Sequence, residues 1–244
     1  MKKLVIYGIL LMFFLGCEKA DNPKTWRNNT LSQYIIQNYS GDAKQLYMHE
    51  LINNPSHPGY NNPIIDTNET LQILNIIQAV YELNIPERDT VFKYYNIHRF
   101  SCYALNSIRI KVNPEDSAIM NLGSGNFNTG NADLDTLLKR FKFDSIRTAY
   151  NYPSTPWITL YTDKKYNMLP VTDEFANLSP ILLADFNKTC IGDGNDITLN
   201  RTTHKASITF SIGKGDCPAG CLFHRYWQFE VKNGIARFKK SWQT

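Results

Sequence analysis

Leu4 to Phe14 is an almost unbroken apolar run behind the basic start Met1-Lys2-Lys3, and it constrains everything that follows. The run is too short to span a bilayer stably, which takes about 20 apolar residues, and its charge order is that of an export signal. Residues 1 to 16 are therefore read as a targeting segment outside the fold, and the remainder as a chain that folds in an oxidising compartment. That remainder is long enough for one large domain or two small ones. The formal charge of +4 falls by two when Lys2 and Lys3 leave with the segment. A near-neutral chain with its acidic residues spread throughout argues against a nucleic-acid partner, which needs a concentrated basic face.

The apolar run closes in Phe14-Leu15-Gly16-Cys17, which resembles the lipobox of bacterial lipoproteins, with Phe14 where Leu is usual. The resemblance implies that Cys17 is acylated with palmitate-type chains and becomes the new N-terminus. The chain would then be held to a membrane of the cell envelope on its periplasmic or extracellular side. A cleaved secretory signal that leaves Cys17 an ordinary thiol is the alternative. Residues 17 to 29, polar and containing Pro23, read as a tether. No later stretch is long and apolar enough to span a membrane, so the lipid is the membrane attachment expected.

Residues 30 to 100 read as a helical segment. Ala43 to Asn53 is expected to be helical, and Asp66 with Glu69 three residues on makes a capping signal. Leu71, Ile73, Leu74, Ile76, Ile77, Val80 and Tyr81 then follow at helical spacing. Pro86 suits the first turn of another helix carrying Val91, Phe92 and Tyr95. Near residue 106 the period changes to two, with Ile108, Ile110 and Val112 alternating with polar residues. The order from there is strand, helix with Leu134, Leu137, Leu138 and Phe141, two strands at Ile146 to Tyr150 and Trp157 to Tyr161, helix, and strand at Ile181 to Phe186. This βαββαβ order predicts a ferredoxin-like unit over residues 101 to 190 with strand order 4-1-3-2. Residues 191 to 244 read as an antiparallel β-meander packed on it, with Asn233-Gly234 as a two-residue type I′ turn. The expected class is α+β: a helical segment, a ferredoxin-like centre and a C-terminal meander.

The helix, loop and last strand of Asp173 to Phe186 loosely resemble the propeptide-like inhibitor modules of subtilisin-type proteases, which implies fold rather than activity. The stretches Gly192-Asp193-Gly194-Asn195-Asp196 and Asp216-Cys217-Pro218-Ala219-Gly220-Cys221, followed by Tyr226-Trp227 and Phe229, resemble a group of exported Bacteroidota proteins without an assigned activity. That resemblance implies an exported, family-specific fold.

Cys217 and Cys221 stand four apart around Pro218 and Gly220, so a tight loop can close them into a disulfide. A second reading makes Cys217, Cys221 and His224 zinc ligands, with water or His204 in a fourth position, the basis of a metal-assisted hydrolase. A redox-active pair is a third. Cys102 precedes the first strand of the ferredoxin-like unit and Cys190 follows its fourth. In the 4-1-3-2 order these are antiparallel neighbours, so Cys102 and Cys190 are expected to pair. Asp193, Asn195 and Asp196 resemble calcium ligands in kind but lack the register of an EF-hand, and turn chemistry explains them better. Gly123-Ser124-Gly125 and Gly130 read as a flexible connection without a phosphate-binding Lys. His49, His57, His98, His204 and His224 are scattered, and Asp133 with Asp135 suits a helix start. Phe223 and Tyr226 are candidates for an exposed sugar- or protein-binding patch. No nucleophile, base and oxyanion set converges in the sequence, no catalytic residue is assigned and no cofactor is expected. The pattern implies a non-enzymatic binding module with an envelope protein or glycan as partner, or an inhibitor of an exported protease.

Overall fold

A computed structural model describes residues 30–151, 155–188 and 192–244. The targeting segment, the tether with Cys17, and Cys190 lie outside the described residues.

The first helix, α1 (Gln33–Asn53), begins ten residues before the stretch expected from sequence. Ser32 starts it by accepting a hydrogen bond from Ile35 N at 3.3 Å, and Ile35, Tyr39, Ala43, Leu46 and Leu51 form its buried stripe. Asn38, Ser40 and Gly41 dilute that stripe with weak helix formers, which hides it from a reading by periodicity. Asp66 caps α2 (Thr67–Tyr81) by accepting from Asn68 N and Glu69 N. Pro86 opens a single turn, α3 (Pro86–Asp89), that runs into a π-helical turn over Thr90–Tyr94, where Val91 and Phe92 are buried.

The chain then forms β1 (Tyr103–Val112), α4 (Ser117–Gly123), α5 (Ala132–Arg140), β2 (Ser145–Asn151), β3 (Thr155–Tyr161), α6 (Met168–Ala176) and β4 (Ile181–Lys188). Its four strands make one sheet in the order β2-β3-β1-β4, and every neighbouring pair is antiparallel. Helix α4 is seven residues long, too short to show a readable period, and Asp116 caps it. The second sheet is the meander β5 (Asp196–Arg201), β6 (Lys205–Lys214), β7 (Phe223–Lys232) and β8 (Ile235–Gln243), in sequence order. Asn233 and Gly234 join its last two strands with φ of 51° and 77°, the two left-handed positions that a type I′ turn requires. The fold is thus α+β with two antiparallel four-stranded sheets.

Two apolar cores organise these layers. In one, α4, α5 and α6 cover a single face of the central sheet, with Leu134, Leu138, Val171 and Phe175 against Ile108, Ile110, Ile158 and Leu160. In the other, the inner face of the meander packs on α1, α2 and the π-helical turn. Phe210 sits between Phe92 and Phe229 there, and Trp227 is 2 % exposed. The ends of the described chain therefore share one core, and the central unit is inserted between them. It meets that core through Tyr103, Leu105, Leu169 and Phe186.

Candidate functional site

Of the residues singled out by sequence, Cys217, Cys221, His224 and Asp193 converge at the β6–β7 end of the meander. Cys217 and Cys221 are joined as a disulfide across the loop between those strands. Two glycines make room for it. A Cβ on Gly213 would lie 2.2 Å from the Cys221 sulfur, and one on Gly192, at φ 75°, would lie 2.2 Å from the Cys217 carbonyl oxygen. The loop before β5 docks here as well: Asp193 N donates to the Cys217 carbonyl at 2.9 Å, and the Asp193 carboxylate holds His224 Nε2 at 2.7 Å.

This arrangement answers the metal reading. Among the described residues, Asp193, Cys221 and His224 bring potential ligand atoms within 4.8 Å of one another. The sulfurs of Cys217 and Cys221 are bonded to each other, however, and a disulfide offers no thiolate to zinc. His204 stands at the opposite end of β6, because Lys205 pairs with Lys232 while Gly213 pairs with His224. Eight residues of strand separate the two ends, about 27 Å, so His204 cannot complete the set. The calcium reading meets a similar obstacle: Asp193 faces His224, whereas Asp196 takes the Arg99 guanidinium at 2.7 Å and the Phe100 N–H at 2.8 Å. Burial pushes the Asp196 carboxyl up despite the Arg99 charge beside it.

Phe223 and Tyr226 are not brought together. They stand three apart on β7 and so belong to opposite faces of the strand. Tyr226 lies on the outer face of the meander, stacked between His224 and Trp242 with ring centroids 5.8 and 4.8 Å apart, and Lys240 stands 4.8 Å from the Trp242 ring. The other candidates have structural partners. Asp135 accepts from both N and Oγ1 of Thr129, and the hydroxyl bond foremost holds its carboxyl below the ordinary range. His57 Nδ1 accepts from Gly59 N, and Gly125 and Gly130 both take φ of 87° in the connection between α4 and α5.

Two polar constellations have no counterpart in the sequence reading. Asp42 on α1 accepts from His98 Nδ1 at 2.8 Å and from Arg99 N at 2.7 Å, and Arg99 in turn reaches Asp196 on β5. The hydrogen bond to Asp42 holds His98 above its ordinary pKa. Further along, Arg201 receives Glu50 through both carboxylate oxygens at 2.8 and 2.6 Å, Glu69 at 2.6 Å and Gln72 at 3.2 Å. These residues line a polar cleft of roughly 690 Å³ with His49, Asn53, Asn200 and Thr202. Burial, and then the charge of Arg99, holds His49 below its ordinary value. Arg201 spends its donors on protein acceptors, so it acts first as a clamp between α1, α2 and β5. Glu50 and Arg201 are 151 positions apart, and no local pattern joins them.

Fold and site together define an α+β protein of two antiparallel sheets whose reactive-looking side chains are committed to a disulfide and to internal ion pairs. Comparison with protein families, with curated proteins and with solved structures finds no match. None of the helices among the described residues is long and apolar enough to cross a membrane.

Proposed function

We propose that the protein is a lipid-anchored lipoprotein of the cell envelope that works as a non-enzymatic binding module, with the central unit a ferredoxin-like sheet that recruits an envelope protein along its β2 edge. The carrying observation is the position of β2 at the border of its sheet, bonded to β3 on one side with no described strand on the other. Such an edge presents unpaired backbone donors and acceptors on which a partner can add a strand. The commitment of Cys217, Cys221, His224 and Asp193 to one another supports binding over metal-assisted hydrolysis.

Thr148→Pro tests the edge, because proline removes a backbone donor and blocks strand addition. Envelope proteins recovered with the wild type should be lost with the variant, whose circular dichroism stays unchanged. Recovery of the same partners by folded Thr148→Pro protein refutes the edge. In the same preparations, Cys17→Ser should move the protein from the membrane to the soluble fraction. Sedimentation with membranes after a high-salt wash counts against the anchor.

A further inference from the structure

The helices cover one face of the central sheet, and the opposite face carries an unneutralised cluster of cations. Strand register fixes its layout. One row across the sheet runs Arg147, Thr159, Arg109 and Asp185, and the next holds Trp157, Lys111 and Leu183. These positions alternate with Ile108, Ile110, Ile158 and Leu160 of the core, so they point away from the helices. Arg147 and Leu183, on the two border strands, are exposed, and Trp157, Arg109 and Lys111 between them are half-buried. The Arg109 guanidinium lies 4.6 Å from the centroid of the Trp157 ring. Among the described residues, none of Arg109, Lys111 and Arg147 forms an ion pair, although carboxylates elsewhere gather theirs closely, as Glu230 does with Lys205, Arg237 and Lys239.

From this juxtaposition of three unpaired cations around Trp157 on an open sheet face, we propose that the face binds a carboxylate-bearing polysaccharide. The proposal rests on the reading of the chain as a binding module and names a ligand class and a surface for it. Three positive charges against the single Asp185 select a polyanion. Two of the three are guanidinium groups, whose planar fork matches a carboxylate through two parallel hydrogen bonds. Arg147 and Arg109 flank β3 two strand spacings apart, roughly 10 Å, and the Thr159 hydroxyl lies between them. Trp157, diagonal to both, supplies an apolar ring for the C–H face of a sugar. A face crossing all four strands suits an extended polymer. A membrane surface is less well matched, because lipid insertion needs a cluster of apolar side chains projecting beyond the cations, whereas among the described residues of these two rows Leu183 is the only exposed apolar side chain, at one border, and Trp157 is half-buried.

The full-length Cys17→Ser chain, which carries no lipid and needs no detergent, is applied to immobilised polygalacturonate, to neutral dextran and to vesicles of anionic phospholipid. Retention on polygalacturonate alone, released by salt, is expected. The double variant Arg109→Gln/Arg147→Gln and the single variant Trp157→Ala should each weaken that retention about tenfold or more, while Lys240→Gln on the other sheet leaves it unchanged. Circular dichroism confirms that each variant is folded. Undiminished retention of the folded double variant overturns the proposal, and so does binding to vesicles alone or to none of the three surfaces. The recovery of envelope proteins by wild type and Thr148→Pro separates the two readings. If the wild type recovers them and Thr148→Pro loses them while polygalacturonate fails, the binding module stands and the polysaccharide surface falls.

Discussion

Asn167 is fully buried and serves two elements at once. Its side-chain oxygen accepts from Leu169 N at 3.1 Å to start α6, while its amide nitrogen donates to the carbonyls of Tyr60 at 2.8 Å and Asn62 at 3.0 Å. Asn167→Ala removes the cap and leaves those carbonyls without their donor inside the protein. It should lower unfolding stability by about 2–4 kcal/mol in urea titrations, the sum of a lost cap and an unsatisfied buried group. Asn167→Asp keeps the cap but sets a buried carboxylate against those carbonyl oxygens, and should be at least as destabilising as Asn167→Ala. His98 makes a prediction in pH. Its folded-state pKa is raised by Asp42, so the stability it contributes is complete below the ordinary value of 6.5 and is lost as pH climbs through the raised value. The urea midpoint of the wild type should therefore fall from mildly acidic to mildly alkaline pH by more than that of His98→Gln. Equal slopes would show that the Asp42 pair contributes nothing.

At the scale of elements, the Cys217–Cys221 bond is legible because both partners lie in one loop, four residues apart. Helix α2 is legible for the same local reason, its cap and stripe lying within fifteen residues. Helix α1 is readable only over its C-terminal half, since Asn38, Ser40 and Gly41 interrupt the apolar period that tertiary packing restores. The Arg201 clamp and the Asp42–His98–Arg99–Asp196 chain depend on contacts between distant segments, and nothing local encodes them. Cys102 carries a prediction here. It is disulfide-bonded, and the partner expected from sequence, Cys190, lies outside the described residues. Non-reducing peptide mapping should link the Cys102 and Cys190 peptides, and Cys102→Ser should cost about 4 kcal/mol on the chain-entropy account. A Cys102 peptide linked to Cys217 or Cys221 would overturn this.

On the scale of the whole molecule, two cores divide the protein in space but not in sequence order. Phe210→Ala, at the centre of the shared core, should cost about 3–5 kcal/mol. Hydrogen exchange of that variant should show amides of α1 and β7 losing protection together, while those of β3, in the other core, keep theirs. Equal loss in all three would mean that the cores open as one unit. The division also governs timing. A chain that emerges N-terminus first delivers α1 and α2 early, but the surface that buries their apolar stripes, Ile208, Phe210, Trp227 and Phe229, arrives last. The two helices must wait, apolar faces uncovered, until the central unit and then the meander have followed, so this half of the protein folds late and depends on whatever shields nascent chains along its route.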